Sequence, residues 1–134
     1  MIKILNFDKN NKNELLKEYL GRTKTAKLLN TQDVDEGLRM VKSKEPPDII
    51  LLGGDVDSGD KSLMLLGRMM VDKDIAPKTY KNILITTWDA DEAYILRQLL
   101  KDTFYCPFSE TLANILKQKI KNKKTYKKWK TNKN

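Results

Sequence analysis

The residues that could do chemistry in this chain follow short apolar segments. Asp8, Thr86 and Cys106 each stand at the end of such a segment and offer a carboxylate, a hydroxyl and a thiol. The apolar run Ile49-Ile50-Leu51-Leu52 instead leads into Gly53, which has no side chain. In an α/β sheet, chemistry gathers outside the carboxyl ends of the strands, so these four positions are where a site is expected.

An acidic loop follows Gly53. It runs from Gly54 to Asp60 and contains Asp55 and Asp57. Asp, Ser and Gly favour turns, so a solvated turn is the first interpretation. A shift of two residues keeps the same face of a strand, so Asp55 would replace a carboxylate at position 53 if the strand extended that far. Calcium is not indicated, because Leu66 stands where an EF-hand loop needs its bidentate Glu.

Apolar periodicity predicts strands and helices in alternation. We expect strands at 2–7, 26–30, 49–52, 83–86 and 104–105, and helices at 10–20, 31–41, 62–71, 89–101 and from 109 onward. Thr31 is the predicted N-cap of the second helix. The strand at 49–52 is continuously apolar, which is typical of a strand that is buried on both faces. Alternation of this kind predicts an α/β fold with a parallel sheet and helices on both of its faces.

Three stretches of the chain resemble the receiver domain of bacterial two-component response regulators. They are Pro47-Asp48-Ile49-Ile50-Leu51-Leu52, Ile83-Leu84-Ile85-Thr86-Thr87 and Tyr105-Cys106-Pro107-Phe108-Ser109. The resemblance covers residues 2–121. It implies a doubly wound, flavodoxin-like (βα)5 fold with a five-stranded parallel sheet of order 2-1-3-4-5.

In that family, two adjacent acids after strand 1 hold Mg²⁺, and an Asp ending strand 3 accepts a phosphoryl group. A Thr or Ser after strand 4 bonds to the phosphoryl group, and a Lys before Pro-Phe neutralises its charge. The matching positions here are Asp8, Lys9, Gly53, Thr86 and Cys106. Glycine has nothing to phosphorylate, Lys9 repels a divalent ion, and a neutral thiol does not replace an ammonium group. The resemblance therefore implies a degenerate site with no catalytic residue, metal or cofactor.

The implied function is an atypical receiver, or pseudo-receiver: a signalling module, not an enzyme, that acts through protein–protein interaction. In the family, the fourth helix, fifth strand and fifth helix form the output face. A protein partner of a signalling pathway, or a second copy of the chain, is expected at that face. The aromatic switch residue of strand 5 matches Thr103, with Phe104 and Tyr105 beside it. The alternative is a phosphorelay receiver that is phosphorylated on Asp55, and only this alternative calls for Mg²⁺.

The net charge of +8 is concentrated near the end of the sequence. Residues 117–134 hold nine lysines and no acid, which leaves residues 1–116 with 17 bases and 18 acids. We divide the chain into a receiver-like domain at 1–121 and a basic, disordered tail at 122–134. The tail is a candidate contact for nucleic acid or another acidic surface, with a solubilising extension as the other interpretation. The contact candidates are Lys121, Lys123, Lys124, Lys127, Lys128, Trp129 and Lys130.

The amino-acid composition argues against several classes of protein. Histidine is absent, which removes the commonest general base and metal ligand and argues against metabolic catalysis. The single cysteine, Cys106, cannot form an internal disulfide; we interpret it as a small packed residue, with a redox-sensitive thiol as the alternative. No apolar run is long enough to span a bilayer and no signal peptide is visible, so we expect a cytoplasmic protein.

Overall fold

A computed structural model describes residues 1–8, 16–18, 26–106 and 109–132, with side chains at all of these except 56, 109–110 and 123–132. In these ranges the strands are β1 (Ile2–Phe7), β2 (Ala26–Thr31), β3 (Ile49–Leu52) and β4 (Ile83–Ile85). The helices of eight or more described residues are α1 (Val34–Val41), α2 (Lys61–Met70), α3 (Ala90–Leu99) and α4 (Ser109–Asn132). Two 3₁₀ turns, Val56–Ser58 and Pro77–Asn82, precede α2 and β4. The helix predicted at 10–20 lies largely outside the described residues, and residues 16–18 are helical.

The strands form one parallel sheet with the order β2-β1-β3-β4. The predicted α/β class is therefore confirmed, but the prediction of five strands is wrong for the described residues. A single bridge joins Ile85 to Tyr105 beyond β4, supported by hydrogen bonds from Ile85 N to Phe104 O and from Cys106 N to Ile85 O. The phenolic hydroxyl of Tyr105 also donates to the Thr87 carbonyl at 3.1 Å.

Strands β1, β3 and β4 are buried on both faces, as their apolar sequences predict, whereas the edge strand β2 is partly exposed. Side chains of one face pack with α1, α2 and α3, and this group contains Leu5, Phe7, Val41, Ile50, Leu52, Leu65, Leu66, Met69, Ile83, Ile85, Ala93 and Leu96. Side chains of the other face pack with Leu16 and α4, and this group contains Ile2, Ile4, Ile49, Leu51, Leu84, Cys106, Leu112, Ala113, Leu116 and Ile120. Each fully buried Leu or Ile contributes about 1.5–3 kcal/mol, so these two layers hold the strand ends in place.

The cap of α1 differs from the prediction. Asp33, not Thr31, caps this helix by accepting bonds from the amides of Asp35 and Glu36, because Thr31 is still part of β2. The inward face of α2 is formed by Ser62, Leu65, Leu66 and Met69, while Met64 and Met70 of the same helix are 54% and 53% exposed.

The last helix continues past the predicted domain boundary. Its backbone is helical through Asn132, so residues 122–132, predicted to be disordered, are helical here. Lys and Gln have favourable helix propensities, and no Gly or Pro interrupts this segment. The division of the chain at residue 121 itself stays a prediction. No helix in the described ranges is long and apolar enough to cross a membrane.

Candidate functional site

Three of the predicted site residues meet at the carboxyl edge of the sheet. Phe7 pairs with Leu52 and Leu52 pairs with Ile85, so the residues that follow them, Asp8, Gly53 and Thr86, lie side by side. The ladder extends one step further through Gly53 N to Phe7 O at 2.9 Å and Thr86 N to Leu52 O at 2.8 Å. The strand register therefore brings together the positions that the sequence singled out one by one. Lys9 lies outside the described residues.

Asp8 and Gly53 are in close contact. The Asp8 side chain is buried, with 7% of its surface exposed. A Cβ atom built on Gly53 would lie 2.5 Å from Asp8 Oδ2 and 2.8 Å from Asp8 Cγ. A Cβ atom does not approach a non-bonded atom that closely, so the Asp8 carboxylate fills the space in which a side chain at position 53 would begin. Close approach requires glycine here, whereas a positive φ is confined to Gly54 and Gly59 among the described glycines.

The loop after β3 is held by its carbonyl groups. The hydroxyl of Ser62, itself 1% exposed, donates to Gly53 O at 2.6 Å. Gly54 O accepts the amide of Trp88 at 2.8 Å and the hydroxyl of Thr87 at 3.3 Å. Gly54 adopts a φ of 133°, which favours glycine. The loops after β3 and β4 are thus tied directly to each other.

Asp55 caps a 3₁₀ turn. Its carboxylate accepts the amide of Asp57 and the hydroxyl of Ser58, both at 3.0 Å, and its own amide donates to Ser58 Oγ at 3.0 Å. The turn then closes through Gly59 and Asp60, both in the left-handed region. The loop therefore has the turn geometry that its Asp, Ser and Gly residues favour. In this geometry the Asp55 carboxylate is engaged by groups of its own loop.

Beside this edge lies a buried carboxyl group that the sequence analysis did not identify. Glu92, in the first turn of α3, is 2% exposed, and its Oε2 has no hydrogen-bond partner among the described residues. Burial raises the pKa of Glu92; the Thr87 hydroxyl and the Leu63 backbone partly offset this, and the charges of Asp60 and Asp89 raise it further. Helical spacing in the sequence could have predicted this burial, because Glu92 lies one turn before Leu96 and two turns before Leu100, both of which face inward.

Cys106 and the two threonines after β4 are buried. Cys106 is 8% exposed and packs in the apolar layer that faces α4. Thr86 is 5% exposed and Thr87 fully buried. Within the described ranges, no group of three or more His, Cys, Asp or Glu residues is placed to hold a metal ion. Pro107 and Phe108 lie outside the described residues.

Exposed aromatic residues surround the outer edge of the sheet. Tyr94 on α3 is 66% exposed, Phe104 61% and Trp88 44%. Lys119 of α4 lies 5.7 Å from the centre of the Phe104 ring, and Arg97 of α3 lies 5.7 Å from the centre of the Tyr105 ring. The segment at Phe104 and Tyr105 therefore contacts cationic side chains of both α3 and α4.

The basic contact candidates all lie on α4. Lys121 is exposed, and the backbone at Lys123, Lys124, Lys127, Lys128, Trp129 and Lys130 is helical. Comparison of the whole chain with models of known protein families gave no match, and comparison with curated protein sequences gave none either.

Proposed function

We propose that this protein is a receiver-like signalling module that works by binding another protein and does not use an aspartyl phosphate at the end of β3. The observation that carries the proposal is the contact between Asp8 and Gly53. The space that a phosphoacceptor side chain would need is filled by a neighbouring carboxylate 2.5 Å from the Cβ position. A phosphoryl group there would meet that negative charge at close range.

The parallel sheet and its two helical layers support the resemblance on which the proposal rests. The segment at Tyr105 lies beyond β4, where the fifth strand of a 2-1-3-4-5 sheet would lie, and we assign it that role. Its hydroxyl bond to Thr87 O links this segment to the loop after β4. In this proposal such hydrogen bonds stabilise the conformation of the carboxyl edge of the sheet. Binding of a partner, and not of a phosphate, controls that conformation.

The exposed surface at α3, the Tyr105 segment and α4 is our candidate for the binding face. Tyr94 and Phe104 expose large apolar areas, and Arg97 and Lys119 lie against neighbouring rings. Tyr and Arg are the residue types that contribute most at protein interfaces. We assign no catalytic step to the protein.

The test uses a small phosphodonor, acetyl phosphate, with Mg²⁺ and the full chain. We expect the intact mass to stay unchanged and the amide NMR signals of α3 to keep their positions. A phosphoryl adduct would contradict the proposal. If the adduct vanished in Asp55→Asn, the alternative of a phosphorelay receiver acting through Asp55 would replace it.

A further inference from the structure

The second half of α4 lacks the apolar stripe with which its first half packs against the sheet. The buried positions of the helix are Leu112, Ala113, Leu116 and Ile120, and they form one stripe against the sheet. The next positions at that spacing, 123 and 127, are both lysines. The helix of 24 residues is about 36 Å long, and its half after Ile120 continues for about 18 Å without an apolar stripe.

Lysines recur along one face of this helix. Lys117, Lys121, Lys124 and Lys128 follow one another at intervals of four, three and four residues. In an α-helix such intervals place residues on one face, here over about 16 Å of axis. Lys117 and Lys121 are exposed. We call these four residues the lysine row.

The surroundings of the lysine row favour a polyanion as ligand. Residues 117–134 hold no acid, while residues 1–116 are close to neutral, so the positive potential belongs to this helix. A membrane-surface helix also needs an apolar face, and after Ile120 only Tyr126 and Trp129 are large apolar residues. Nucleic acid needs no such face, because its backbone binds cations directly.

We propose that the lysine row of α4 binds the phosphate backbone of nucleic acid without reading its sequence. Arginine, which reads guanine with two parallel hydrogen bonds, is absent after Arg97. Lysines contact phosphates as point charges and place the helix along the backbone. This inference does not depend on the receiver-like function proposed above, because it concerns a different face and a different ligand.

Binding of the full chain to a fluorescent DNA duplex of mixed sequence tests the proposal. Four phosphate contacts predict that log K falls with log salt at a slope of about −3.6, so that doubling the salt weakens binding about twelvefold. A duplex of scrambled sequence should bind equally well. A vesicle of roughly three parts phosphatidylcholine to one part phosphatidylserine serves as the membrane probe.

Two triple variants of equal net charge test whether the positions of the lysines matter or only their number. The row variant combines Lys121→Gln, Lys124→Gln and Lys128→Gln; its slope should fall to about −0.9, and its binding should not be measurable at moderate salt. The control variant combines Lys123→Gln, Lys127→Gln and Lys130→Gln; its slope should change by less than about one unit. Lysine and glutamine have similar helix propensities, and far-ultraviolet circular dichroism checks that both variants keep their helix.

Three results would overturn the proposal. One is absence of duplex binding by the unaltered chain at low salt. Another is an equal loss in both triple variants, which would show diffuse attraction without a row. The third is tighter binding to the vesicles than to the duplex, which would assign the helix to membranes. If the variant at Lys121, Lys124 and Lys128 lost its helix, the same three lysines would be replaced by arginine. That arginine variant should retain the slope, and a loss of its binding would also count against the row.

Discussion

Asp8 Oδ2 lies 2.5 Å from the point where a Cβ atom of residue 53 would stand, so the first carboxylate of the edge and the glycine that ends β3 depend on each other. Neither residue can be interpreted alone. The glycine leaves room for the carboxylate, and a larger residue at position 53 would have to displace it.

Gly53→Ala should destabilise the fold by about 1–3 kcal/mol, because the new methyl group must displace a buried carboxylate. Urea unfolding measures the change. Gly67→Ala is the matched control: it lies within α2 with no atom within 4 Å of its Cβ position and should stabilise by about 0.5–1 kcal/mol. Adding Asp8→Gly should remove most of the cost of Gly53→Ala, and strictly additive effects would contradict the contact.

Asp55→Ala should cost about 0.5–2 kcal/mol through loss of a cap on the 3₁₀ turn. Asp55→Asn should retain most of that stability, because an amide oxygen still accepts the amide of Asp57. Thermal unfolding of both variants measures the difference. Equal losses in Ala and Asn would show that the negative charge of Asp55, and not its capping oxygen, matters to the fold.

Glu92→Gln should remove the stability that the protein loses when this buried carboxyl group, with its unpaired Oε2, ionises, because glutamine has no proton to lose. Burial raises the pKa of Glu92 in the folded state, so folding favours its neutral form. The contribution of Glu92 to the free energy of unfolding is therefore greatest below its pKa in the unfolded state. That contribution is lost as pH rises through its pKa in the folded state.

The measurement for Glu92 is the free energy of unfolding as a function of pH. The unaltered chain should lose stability on this account as pH rises from about 4.5, and Glu92→Gln should remove that slope. Glu18→Gln, at an exposed position, should leave it in place. A slope that persists in Glu92→Gln would assign the titration to another group.

Tyr105→Phe should cost about 0.5–1.5 kcal/mol, the usual net contribution of a hydrogen bond, through loss of the 3.1 Å bond to Thr87 O. Hydrogen exchange should quicken at the amides of Ile85 and Cys106, which pair across the single bridge. Tyr94→Phe, on an exposed ring, is the control and should change neither quantity measurably. Unchanged exchange in Tyr105→Phe would mean that this bond does not hold the bridge.

Several features of the fold were predictable because they depend on local patterns. Continuous apolar runs such as Ile49–Leu52 predict buried parallel strands, and glycine at 53 is visible without coordinates. Asp89 before α3 was also placed correctly at a helix start. The cap of α1 was misplaced by two residues, because β2 extends through Thr31 before the helix begins. Local propensity does not determine the residue at which a strand ends and the next helix begins.

By itself, the sequence determined the α/β class, the glycine after β3 and the concentration of lysines after residue 116. Only the tertiary structure decided that Asp8 occupies the space beside Gly53 and that Glu92 is buried. The physical reason is that these facts depend on distances between residues far apart in the chain. Strand register and packing set such distances, and a linear pattern of residue types does not contain them.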